Sequence, residues 1–154
     1  MRSSMIVQSV QPTTIPVCGT LQSTLLDTPQ TIGAVYIDLS AVPLQSIRFR
    51  VVLSSTSAAA GKEAVVDLYD TNGILNSGVP AVVAGSEIDT TTGSPPPGGP
   101  ATDPLFPSAY EVGLNAAFSG YTGKGVFECR LRINVADAVN VASCQSADLL
   151  FETS

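Results

Sequence analysis

Between residues 45 and 73 apolar and polar positions alternate in two runs. Ile47, Phe49, Val51 and Leu53 alternate with Ser46, Arg48, Arg50 and Val52; beyond small residues and Gly61, Ala64, Val66 and Leu68 alternate with Val65, Asp67 and Tyr69. A period of two puts successive side chains on opposite faces, which predicts two half-buried strands. Folding one run back on the other sets Phe49 opposite Leu68, Val51 opposite Val66 and Leu53 opposite Ala64, with Arg50 meeting Asp67 outside. That register joins apolar to apolar and cation to anion, so the stretch is predicted to be an antiparallel hairpin.

The same logic predicts a second hairpin. In 126–135, Phe127, Cys129, Leu131, Ile133 and Val135 face in; in 143–152, Ala147, Leu149 and Phe151 do so. Pairing the two sets Phe127 by Phe151, Leu131 by Ala147 and Arg130 by Asp148. Further strands are predicted at 34–40, with Val35, Ile37 and Leu39 inward, and at 110–116, with Tyr110, Val112 and Leu114 inward and Glu111 outward. A weaker one lies at 80–84. Asn72-Gly73 marks a tight turn, 118–125 is a Gly-rich turn, and 136–142 holds at most one helical turn. Within 1–30 the short candidates are 5–10, 15–18 and 21–26, with Pro12 and Pro16 restricting them to edges or strand entries. Residues 90–104, TTTGSPPPGGPATDP, form a long Pro/Gly-rich loop. The expected fold is all-β: an antiparallel β-sandwich of about eight strands, a jelly roll. Residues 31–154 make the sandwich, and 1–30 are an extended N-terminal arm or edge strands.

Charge alters this picture more than hydrophobicity does. Charged residues make up 13% of the 154, with a net charge of −6, against roughly 25% charged in ordinary soluble domains. So sparse a charge protects a surface poorly against association. There is no Lys/Arg cluster to replace nucleic-acid counterions or to hold an anionic membrane. No apolar run is long enough to span a bilayer, and the first residues lack the apolar stretch of a conventional secretory signal.

Candidate chemistry is thin. The chain has no His and no Trp. The first absence removes Ser-His-Asp and Cys-His catalysis; the second weakens both a two-carboxylate glycosidase and a sugar-stacking module. The run Gly120-Tyr121-Thr122-Gly123-Lys124-Gly125 lacks phosphate-loop spacing and leads into a strand. Asp67, Asp70, Asn72 and Gly73 resemble part of a calcium loop but lack its later Glu, and read as a turn. Cys18, Cys129 and Cys144 match no zinc spacing, and alternation puts 129 inward and 144 outward, so buried unbonded thiols are expected. No catalytic, metal-binding or cofactor-binding residue is therefore expected. The interface candidates are Val7, Val10, Ile15 and Val17, which need shelter, and Arg48, Arg50 and Tyr69, read as one outer-face patch.

The segments VFECRLRINVADAVNVASCQSADLLFE and SIRFRVVLSSTSAAAGKEAVVDLYD resemble the hairpins of small jelly-roll structural proteins (decoration, head or tail components) of tailed-bacteriophage virions. The resemblance lies in pattern, a strand with alternating Arg, a polar loop and a closing Ala-x-Leu-x-Phe strand, over about the last two thirds of the chain. It implies a non-enzymatic virion component, a homotrimeric capsid decoration or other head-associated protein whose partners are itself and shell proteins such as the major capsid protein. The alternative is a carbohydrate- or cell-surface-binding sandwich module, including a tail or receptor-binding component, working through the 90–104 loop.

Overall fold

The computed structural model describes residues 11–40, 44–91, 95–96, 99 and 102–153. Ten strands occur among them: β1 Gln11–Cys18, β2 Gln22–Thr24, β3 Gln30–Asp38, β4 Leu44–Ser55, β5 Ala64–Asp70, β6 Ala81–Val82, β7 Ile88–Asp89, β8 Ser108–Gly113, β9 Lys124–Ile133 and β10 Ala142–Thr153. They form two five-stranded antiparallel sheets. The first has the order β1-β10-β4-β8, with β2 also on β10; the second has β3-β9-β5-β6, with β7 also on β5. The pairs β1/β10, β3/β9, β4/β8 and β5/β6 are nested one inside another, so the chain is one long antiparallel ribbon wrapped around a common core. That is a jelly roll.

The two predicted hairpins are not formed. β4 and β5 lie in opposite sheets: Phe49 pairs with Leu149 and Val112, and Leu68 with Cys129. β9 and β10 likewise lie in opposite sheets, Phe127 beside Val35 and Asp70, Phe151 beside Thr13 and Ile47. The ion pairs change partners accordingly. Arg130 Nε donates to Asp67 Oδ1 at 2.8 Å, while Arg50 lies opposite Asp148 in register and turns its guanidinium to Glu111. The reason is geometric. Alternation fixes which side chains face inward, and those side chains meet the core identically whether two strands are neighbours or face each other across it.

The inward set is otherwise as the alternation predicts. Phe49, Val51, Leu53, Val66, Leu68, Phe127, Leu131, Ile133 and Leu149 are fully buried, and Phe151 is partly buried against them. Tyr110 and Leu114 are buried too, and the Tyr110 hydroxyl donates to the Thr90 carbonyl at 3.2 Å. Two parities differ. Cys144 points inward, because a register shift between Cys144 and Ser146 inserts an extra residue before Ala147. Val135 lies past the end of β9 and is exposed. All three cysteines are buried free thiols, and burial pushes the Cys144 thiol up to about 12.

Residues 11–24 belong to the sandwich as edge strands. Val17 is buried and Ile15 packs against the core. At Gly33 a Cβ would run into the Val17 carbonyl, so glycine lets β1 and β3 close the two sheets together there.

Candidate functional site

At one end of the roll four connections come together: 25–29, 56–63, 134–141 and the described part of 90–107. Backbone bonds tie them. Ile133 N–H donates to Leu26 O at 2.9 Å, Val135 N–H to Gly61 O at 2.7 Å, Ser55 N–H to Pro104 O at 2.7 Å and Thr56 N–H to Val141 O at 3.1 Å. Side chains add to this. Lys62 Nζ meets Asp137 Oδ2 at 2.8 Å, and Asp137 also accepts the N–H groups of Val139 at 2.9 Å and Asn140 at 2.7 Å. Those donors, the Asn140 N–H foremost, hold the Asp137 carboxyl far below the usual carboxylate range.

On this tied scaffold the apolar side chains point outward. Leu25, Leu26, Leu105, Phe106, Val135 and Val139 are all exposed, Phe106 at 66% and Val139 at 77%. Leu25, Leu26 and Val141 also line a shallow hollow. Sequence reading missed this surface. Apolar residues in loops carry no periodicity, and Val135 looked like the last inward residue of its strand.

The residues singled out from sequence are scattered. Val7 and Val10 lie outside the described residues. Ile15 and Val17 are on β1, half-buried and buried in the sandwich's own core. Arg48 and Arg50 project from the outer face of the first sheet, and Tyr69 belongs to the second, so the single patch expected of these three does not exist. The arginines clamp Glu111, Arg48 Nη1 at 2.8 Å from Oε1 and Arg50 Nη2 at 2.8 Å from Oε2. Glu111 faces outward as expected, yet the clamp leaves its side chain only 5% exposed. On the other sheet the Arg130 guanidinium carbon lies 4.0 Å from the Tyr69 ring centroid.

Acid–base chemistry has no focus among the described residues. Asp67 is held by Arg130, Glu111 by two arginines, and Glu87 by Arg132 at 3.3 Å. A cavity of about 370 Å³ at the opposite end contains Asp70, whose carboxylate accepts the N–H groups of Asn72 at 3.3 Å and Leu75 at 2.8 Å. The Asp-rich stretch is thus a capped turn, with Gly73 at φ 65°. No group of three His, Cys, Asp or Glu side chains among the described residues is placed to hold a metal.

No family model matches the chain, and no curated protein matches it. Among solved structures, the crystal structure of the infectious bursal disease virus VP2 subviral particle is similar over 93% of this chain and 32% of that one, at 16% identity and a TM-score of 0.44. The chain thus spans about a third of the length of that protein, and the functional reading rests on the geometry described above.

Proposed function

We propose that this chain is a non-enzymatic structural protein of a virion, a capsid decoration or other head-associated component that works by oligomeric assembly. The observation that carries the reading is the apolar loop end. Six large apolar side chains stand exposed on one hydrogen-bonded end of a sparsely charged jelly roll. Water disfavours such a surface, and burying it against a neighbour returns roughly 25 cal/mol per Å². The carboxylates and guanidiniums described above hold one another on the outer faces or cap turns, which suits a scaffold rather than a reaction site. The expected partners are copies of this chain, in a homotrimer, and other shell proteins.

Sedimentation of the purified chain tests this. A stable oligomer is expected, and the double variant Phe106→Ser/Val139→Ser should shift it toward monomer while the far-ultraviolet circular dichroism of the folded sandwich is kept. A chain that stays monomeric at high concentration and binds one glycan specifically overturns the reading in favour of a carbohydrate-binding module.

A further inference from the structure

The second candidate surface lies along the side of the roll where β1 and β3 are the sheet edges. Near Val17 and Gly33 the two edges are pinched together. Beyond that pinch a groove of about 380 Å³ opens, lined by Ile15, Ile37, Leu39 and Phe151, with Tyr36 and Asp38 at its rim. The two edges differ in their protection. β1 carries Pro12 and Pro16, which cannot donate to another strand. β3, QTIGAVYID, has no proline and no lysine, and among the described residues pairs only with β9. Ala34 and Tyr36 are exposed on its open part. An edge strand with no proline and no cation, its one charge the terminal Asp38, beside an apolar slot is an acceptor for an added strand.

We infer that this groove takes residues 1–10 of a second copy of the chain, added as a strand along 34–38 of β3; the inference rests on the assembly reading above. Three observations select this occupant. First, the described chain starts at the groove: Gln11 pairs with Thr153, and Thr153 lines it. Second, the sequence MRSSMIVQSV offers Met5 and Val7 at alternate positions for the slot, and its single charge, Arg2, suits the acid Asp38 at the rim. Third, reaching its own groove would require the chain to reverse just before β1. Pro12 keeps Gln11 extended, and Ser9-Val10-Gln11 contains none of the Gly, Asn or Asp that reversals favour. A neighbour's segment needs no reversal. Ten extended residues reach about 33 Å, while the open part of β3 needs only about 17 Å, leaving length to cross between copies.

The test uses full-length chains. Gln8 is placed outward by the alternation, on the same side as Tyr36 and Ala34. Gln8→Cys chains are mixed with Tyr36→Cys chains, or with Ala34→Cys chains as a second acceptor, then dissociated, reassembled and oxidised. The native thiols are buried and do not compete. A disulfide-linked dimer is expected in the mixtures and in neither variant alone. It should be lost when the acceptor also carries Ile15→Asp, with its melting curve checked for folding. No dimer with either acceptor, or a link formed only within one chain of a double variant, overturns the inference. Sedimentation separates the two readings: an oligomer without the cross-link overturns the groove assignment and leaves assembly standing, whereas a monomer overturns both.

Discussion

Phe106 and Phe118 sit in the loops on either side of β8, yet the first is 66% exposed and the second 2%. Loop order does not explain the difference. Around Phe118 the backbone turns on itself, Phe118 N–H donating to Leu114 O at 3.1 Å, and the ring packs edge-on to Tyr121 at 6.0 Å and tilted on Phe127 at 5.4 Å. Around Phe106 the backbone is held as well. Asp103 accepts the Leu105 N–H on Oδ1 at 3.0 Å and the Phe106 N–H on its carbonyl at 3.2 Å, and Ser108 Oγ donates back to Asp103 O at 3.1 Å. Both turns are hydrogen-bonded, 103–108 as well as 114–121, but one directs its ring into the core and the other presents it. The same contrast holds for their neighbours. Ile74 and Leu75 pack on the core at the Phe118 end, where Val79 and Val82 are exposed, whereas Leu25, Leu26, Val135 and Val139 stand out at the Phe106 end. A fixed backbone that displays apolar side chains keeps their area in water, which disfavours it.

The sharpest way to break this comparison is to truncate both rings. Phe118→Ala should cost about 3–5 kcal/mol, as for a buried aromatic, and Phe106→Ala within about 0.5 kcal/mol, as at a free surface. Urea denaturation of the dissociated chain reads both; similar losses would show that Phe106 belongs to the core. Next in size come the loop caps. Asp70→Ala leaves the Leu75 and Asn72 N–H groups without their acceptor at a buried site and should cost about 2 kcal/mol. Asp103→Ala, at an exposed site where water replaces the carboxylate, should cost no more than about 1 kcal/mol. Between the ends, burial raises the thiols of Cys129 and Cys144. Neither should react with a thiol reagent at pH 8 until the chain is unfolded, and labelling of folded protein would show that the core opens between the sheets.

The strands could be read from sequence because each contrasts with itself: Phe49, Val51 and Leu53 against Arg48 and Arg50 is decisive whichever strand lies alongside. Their neighbours could not. In a nested ribbon β1 pairs with β10 and β3 with β9, so the partner lies far along the chain and nearby strands face one another across the core. The Arg–Asp matches looked like confirmation, but four charges on two outer faces allow more than one pairing, and Glu111 took Arg50. The inserted residue before Ser146 moved Cys144 inward without any local signal. The loop end was least visible of all, since its apolar residues come from four separate segments that only the fold gathers.

The smallest expected effect concerns how the display is held. Asp137 accepts the N–H groups that shape the Val139 turn, and its carboxyl is held far below the usual range by them and by Lys62. A depressed carboxylate favours the folded state when ionised. That contribution is present above the ordinary carboxylate range and is lost as pH falls through the depressed folded-state value. The turn should therefore stay pinned at neutral and mildly acidic pH and loosen only in strong acid. Because Asp137 is at the surface, Asp137→Ala should leave global stability almost unchanged while speeding hydrogen exchange at the Val139 and Asn140 amides. If Val139 works by being presented rather than merely by being apolar, the same variant should also weaken association at neutral pH, and the gap from the unmodified chain should narrow in strong acid. Faster exchange without weaker association would mean that the apolar side chains at this end act without a fixed backbone beneath them, and the contrast between Phe106 and Phe118 would then reflect burial alone.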